Sequence, residues 1–162
     1  MQEKDFDRVN DVPQEEGGVK VVLGPGTGHG QGFLVKSKWS PCYEVCPSEG
    51  GHTEFTPRNE EDYELMRFTA DYLENSNNVE NQRGRGKVDR ISHERLGAGP
   101  AMPLLYEFMK KKMPDAERLL ETGDNAKTPD EIESKDIIEG SKLENDQICK
   151  AVVRKFGEIL AV

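Results

Sequence analysis

Gly24, Gly26, Gly28 and Gly30 alternate through the segment Gly24-Pro25-Gly26-Thr27-Gly28-His29-Gly30, with Thr27 at its centre. Glycine adopts backbone angles that other residues avoid, so neighbouring amides there can converge on one anion while the threonine hydroxyl adds a further hydrogen bond. Phosphate is the ligand such a turn would hold. No Gly-Lys-Ser/Thr follows, so it is not a Walker loop, and a strand pattern rather than a helix pattern comes next, so it is not a dinucleotide fingerprint. A plain hairpin turn is the competing reading.

A second cluster, Glu49-Gly50-Gly51-His52, sets a carboxylate and an imidazole on either side of two glycines. The flexible backbone between them could aim both groups into one small pocket, where sugar hydroxyls would meet an acceptor and a donor. A surface turn carrying an unrelated acid and histidine is the competing reading. Cys42, Cys46 and His52 are spaced unlike any usual zinc module, and a nucleophilic Cys46 would need a base such as His52 or His93 close by. Ordinary buried, reduced thiols are the expectation for Cys42, Cys46 and Cys149. Arg83-Gly84-Arg85 is one short copy of an arginine-glycine pattern without interleaved aromatics and reads as a solvated insertion.

These groups need elements to hold them. Residues 1–18 are polar and acidic and read as a lead-in with little burial. Val19 to Leu23 is β-branched and apolar and predicts a strand ending at Gly24; Gln31 to Lys36 predicts a second strand, and Tyr43 to Cys46 a third. The glycine segment then joins two strands. Asn59 and Glu60 open a helix with Leu65, Phe68, Tyr72 and Leu73 on one face. Residues 74–90 read as an exposed loop. A short helical turn follows Ile91, and Leu104, Leu105, Phe108 and Met109 mark a further helix, with Lys110 to Lys112 at its C-terminal end and Pro114 stopping it. Thr128-Pro129 has the form of a helix start. The spacing of Ile148, Val152, Val153, Phe156, Ile159 and Leu160 predicts a helix running to the last residue, with nothing sequence-local covering its apolar end.

The chain has 162 residues, a formal net charge of -9, 33% charged residues and 34% hydrophobic residues. That composition predicts one domain with a thin core, and the charge opposes binding to nucleic acid or acidic membranes. No run approaches the ~18–20 apolar residues of a membrane helix, and the first residues lack a signal-peptide pattern, so a cytoplasmic protein is expected.

Taken in order, Val21 to Gly28, then Glu49-Gly50-Gly51-His52-Thr53-Glu54-Phe55-Thr56-Pro57-Arg58-Asn59-Glu60-Glu61, then Ser92-His93-Glu94-Arg95, resemble the bacterial glucokinase family. The resemblance covers residues 19–162 and implies an α/β chain: part of the actin-like, ribonuclease-H-like sugar kinase fold, the hexokinase-type ATPase domain. It implies a parent activity that transfers the γ-phosphate of ATP to glucose, the first step of glycolysis. By the same resemblance Gly24, Gly26, Thr27 and Gly28 bind ATP phosphates, and Glu49, His52 and Glu94 bind glucose. ATP would carry Mg2+, and no residue here is assigned as a protein ligand for a metal. A homodimer is an assembly open to the full-length family.

The chain departs from the family pattern at His29, where Leu is usual, at Thr53-Glu54 and at Leu96 to Pro100. The family's Asp-x-Gly-Gly-Thr loop and its catalytic aspartate are not matched, and Asn10-Asp11 lies too close to Gly24 to take that aspartate's part. The resemblance therefore leads us to expect a partial chain, or alternatively a sugar-binding remnant without catalysis.

Overall fold

The computed structural model describes residues 7, 10–13, 15–75, 88, 90–123 and 126–161. Three strands, β1 (Lys20–Pro25), β2 (His29–Lys36) and β3 (Tyr43–Ser48), form an antiparallel meander in the order β1-β2-β3. The register pairs Gly24 with Gly30 and Pro25 with His29. The ladder thus runs further than the apolar pattern suggested, through glycines that still carry backbone donors and acceptors, and the hairpin loop shrinks to Gly26-Thr27-Gly28. β3 likewise continues past Cys46 to Ser48. Pro47 fits there because β3 is an edge strand and needs no outward N–H. Val21, Val22 and Val45 are exposed, so much of the sheet lies outside the core.

Helices build that core. They are α1 (Glu60–Asn75), α2 (His93–Gly97), α3 (Ala101–Lys112), α4 (Ser134–Gly140) and α5 (Gln147–Leu160). α1 begins where Asn59 Oδ1 accepts the Asp62 N–H at 2.9 Å, and Glu60, Glu61 and Asp62 place negative charge in its first turn. Lys110, Lys111 and Lys112 occupy the last turn of α3, the end where cations suit the dipole. Phe55, Leu65, Leu96, Leu105, Tyr106, Ile137, Ile148, Val152 and Ile159 are buried together. Each such side chain contributes about 1.5–3 kcal/mol relative to exposure.

Three expectations change. The Thr128 start produces only a 3₁₀ turn, Pro129–Glu131, closed by a capping box between Thr128 and Glu131. A second capping box, from Glu133 to Asp136, then opens α4, and Asp146 opens α5 separately by accepting the Cys149 N–H at 2.9 Å. The apolar end of α5 is covered: Ile159 is fully buried, Leu160 is half-buried, and Leu160 Cδ2 lies 3.3 Å from where a side chain on Gly97 would begin. Tertiary packing on α2 supplies what local sequence did not. Of the thiols only Cys149 is buried, whereas Cys42 and Cys46 are exposed because the loop before β3 and this edge strand face outward. Burial and the Asp146 carboxylate push the Cys149 thiol well above its ordinary range.

A buried ion cluster joins α1 to α5. Lys155 Nζ lies 2.7 Å from Asp62 Oδ1 and 2.7 Å from Glu61 Oε1, while Asp62 Oδ2 accepts the Arg58 N–H at 3.0 Å. Burial alone would raise the Asp62 pKa, but the Lys155 ammonium and the Arg58 amide outweigh it and hold the carboxyl below its usual range. Lys155 is raised: its burial is outweighed by the Asp62 and Glu61 hydrogen bonds. No helix among the described residues is long and apolar enough to cross a membrane. The Arg83–Lys87 segment and Val162 lie outside the described residues.

Candidate active site

The Glu49–His52 segment and the Ser92–Arg95 segment are separated by about forty residues in the chain and meet through backbone pairing. Glu54 bridges to Ser92, the Phe55 N–H donates to Ile91 O at 2.8 Å, and the His93 N–H donates to Thr53 O at 2.9 Å. Buried Phe55 anchors this junction against the His93 ring, with centroids 5.4 Å apart. Gly50–His52 forms a 3₁₀ turn that presses onto β2. A Cβ on Gly51 would sit 2.3 Å from His29 O, so only glycine permits the approach.

One open groove of about 390 Å³ is lined by all seven residues that the sequence singled out: Gly24, Gly26, Thr27, Gly28, Glu49, His52 and Glu94. The His52 ring stands between two carboxylates, with Nε2 3.6 Å from Glu49 Oε2 and Nδ1 3.7 Å from Glu94 Oε1. Glu49 is 91% exposed and Glu94 35% exposed, so Glu94 is the better shielded acceptor. Arg90 Nη1 donates to His52 O at 2.5 Å and steadies that turn.

The hairpin loop offers fewer free amides than its glycines suggested. The Gly26 N–H already donates within the loop, to Gly24 O at 3.0 Å and Gly28 O at 2.8 Å, and the His29 N–H donates to Glu94 Oε2 at 3.0 Å. Among the described residues, the Thr27 and Gly28 amides have no hydrogen-bond partner, and they sit beside the exposed Thr27 hydroxyl. Those three groups suit a phosphate oxygen. The nearby Glu49 and Glu94 carboxylates oppose a bare anion there. Among the described residues no three His, Cys, Asp or Glu side chains converge as a metal site. Asp11 is exposed in the lead-in, where the Val12 N–H donates to Asn10 Oδ1.

Sequence reasoning did not assign His29, Gln31 and Ser48, which also line the groove. Gln31 and Ser48 are register partners across β2 and β3. A glutamine between glycines in an otherwise apolar strand was the available signal. His93 does not line the groove; it borders an adjoining cavity of about 280 Å³ with Phe33 and Leu160, and His29, Gln31 and Ser48 line both. Burial lowers the pKa of His93, with His29 and Arg58 adding to the shift.

A family model described as Glucokinase matches residues 1–162. The chain belongs to the glucokinase family. Among curated glucokinases it is 35% identical to that of Nostoc sp. (strain PCC 7120) over 92 residues, 57% of this chain and 22% of the relative. It is 33% identical to that of Helicobacter acinonychis over 112 residues, 69% of this chain and 29% of the relative. The aligned part of the chain thus spans less than a third of the length of these glucokinases. Among solved structures, a glucokinase from an Antarctic psychrotroph superposes with a TM-score of 0.68 at 19% identity, covering 99% of this chain and 41% of that one. Leishmania braziliensis glucokinase superposes with a TM-score of 0.65 at 20% identity, covering 88% and 31%. The fold is that of the glucokinases, the α/β sugar kinase fold expected from the motifs, here represented in part.

Proposed function

We propose that the chain supplies the glucose-binding and phosphate-binding surfaces of an ATP-dependent glucokinase, which transfers the γ-phosphate of ATP to a glucose hydroxyl. The observation that carries this reading is the groove in which Glu49, His52 and Glu94 stand beside the Gly24–Gly28 turn. Ionised Glu94 and Glu49 accept hydrogen bonds from sugar hydroxyls, and His52 between them adds a polar contact that orients the ring. Thr27 and Gly28 amides, with the Thr27 hydroxyl, receive phosphate oxygens on the same side. Phosphoryl transfer depends chiefly on positioning and charge stabilisation, so placing the sugar against the phosphates is a substantial part of catalysis.

The reaction also needs a base that takes the proton of the attacking hydroxyl. Among the described residues lining the groove there is no aspartate. That observation favours a second reading, a chain that binds sugar without turning it over. The setting in either case is the cytoplasm, with glucose and ATP as partners; a net charge of -9 opposes a polyanionic one.

Glucose calorimetry on the 162-residue chain, beside a coupled assay of ATP-dependent phosphorylation, tests both readings. Binding that falls about ten- to a hundredfold in Glu94→Ala, and less in the more exposed Glu49→Ala, supports the site. Turnover supports the kinase reading, binding without turnover the second, and no glucose binding removes both.

A further inference from the structure

The His29 backbone N–H and both of its ring nitrogens are engaged. The residue is 5% exposed. Its ring Nδ1 lies 3.1 Å from Gly97 O, and its Nε2 lies 3.1 Å from Gln31 Nε2. A carbonyl oxygen can only accept, so Nδ1 must carry the proton; Nε2 then accepts from the Gln31 amide. Both ring nitrogens are thereby satisfied in the neutral Nδ1–H form. The His29 backbone N–H donates to Glu94 Oε2 at 3.0 Å, which leaves Oε1 on the His52 side.

The surroundings hold the imidazole tightly. A Cβ on Gly97 would meet His29 Nδ1 at 2.8 Å, and one on Gly51 would meet His29 O at 2.3 Å. The residue is therefore clamped between Gly51 of the Glu49–His52 turn and Gly97 at the end of α2. A parallel stitch, the Gly99 N–H to Gly26 O at 2.8 Å, ties the loop to the residues after α2. An apolar side chain at position 29 could fill the space but would leave Gly97 O and the Gln31 amide without these partners.

We infer that His29 is a positioning residue that locks the phosphate turn to α2 and, through its backbone N–H, aims the Glu94 carboxylate at the sugar. The inference builds on the proposed glucose and phosphate reading of the groove. Its consequence is coupling: a ligand that orders the Thr27–Gly28 turn also orders the His29 N–H and hence Glu94, so each ligand raises affinity for the other by the same factor. Asparagine can place an amide N–H near the Nδ1 position and keep the bond to Gly97 O, whereas leucine cannot.

The test combines nitrogen-resolved NMR of the imidazole at pH 8 with glucose titrations of the wild-type chain, His29→Leu and His29→Asn, each with and without inorganic tripolyphosphate supplied as its Mg2+ complex. The expected wild-type result is the Nδ1–H tautomer and glucose binding tightened about fivefold by tripolyphosphate. Leucine is expected to weaken glucose binding about tenfold and reduce the coupling to less than about twofold, while asparagine restores most of both. Wild-type glucose binding that leucine leaves unchanged, with coupling intact, overturns the inference but not the functional reading. If leucine prevents folding, the asparagine variant decides, and a tenfold loss there also overturns it. If the wild-type chain binds no glucose, the functional reading fails and the tautomer decides: Nε2–H overturns the latch, Nδ1–H supports it.

Discussion

Replacing Lys155 with Met should destabilise the chain mainly through the carboxylate it leaves behind. Lys155 is 3% exposed and Asp62 is fully buried, at 2.7 Å. Its other partners, Glu61 and Glu158, are 43% and 45% exposed, so water screens those pairs and they contribute little. Asp62 would keep the Arg58 N–H at 3.0 Å and a long contact to Arg58 Nε at 3.5 Å. Breaking a buried pair from one side costs about 3–5 kcal/mol. The surviving Arg58 bonds place this case at the lower end, about 3 kcal/mol, which moves a urea midpoint by roughly 1–3 M. Adding Asp62→Asn removes the orphaned charge while keeping an oxygen for the Arg58 N–H, so the double variant should be more stable than Lys155→Met alone.

The pH dependence gives an independent check on the same cluster. The Asp62 pKa is lowered on folding, so its contribution is present above the ordinary value of 3.8 and is lost as pH falls through the folded value. The Lys155 pKa is raised, so its contribution is present below 10.5 and is lost as pH rises through the folded value. In Lys155→Met, protonation of Asp62 relieves the buried charge, and the gap from wild type should narrow as pH drops from 7 toward 4. Urea titrations at several pH values measure all of this. A cost under about 1 kcal/mol at pH 7, or a double variant weaker than the single one, would refute the reasoning.

Gly51→Ala should abolish measurable glucose binding, because the new Cβ meets the backbone of His29 at 2.3 Å and must lift the Glu49–His52 turn off β2; far-ultraviolet circular dichroism should keep its helical signal, and undiminished calorimetric binding would contradict this. Asp146→Ala removes the cap on the Cys149 N–H and should cost about 0.5–2 kcal/mol in urea unfolding, where no change would count against the cap. Titration with a chromogenic disulfide should modify Cys42 and Cys46 rapidly and Cys149 only as the chain opens, since Cys149 is buried and its thiol is pushed up. Three equally fast thiols would show that α5 does not pack as described.

Local pattern determined much of this protein. The β-branched run before Gly24, the 3.6-residue spacing of Leu65, Phe68 and Leu73, and the lysines closing α3 each depend on neighbours a few residues away, so they could be read directly. The site motifs were equally legible, because Glu49-Gly50-Gly51-His52 and the glycine turn are short and contiguous. Helix boundaries after Thr128 were less so: a cap and a proline can open either a 3₁₀ turn or an α-helix, and here the chain caps again at Glu133 and at Asp146 before α4 and α5.

Tertiary structure alone decided which polar groups were already spent. Gly26 and His29 amides looked available for phosphate in a one-dimensional reading, and the close approach of α2 consumed one while the tight loop consumed the other. Nothing in the local pattern marks Lys155 and Asp62 as buried, since each lies beside other charged residues along the chain and they meet only where α5 packs on α1. At His29 the fold supplies Gly97 O and the Gln31 amide to the two ring nitrogens. The bonds from His29 N–H to Glu94, from the His29 ring to Gly97 O and from Lys155 to Asp62 join residues 65, 68 and 93 positions apart, and no local periodicity records which distant partner will fill a donor or an acceptor.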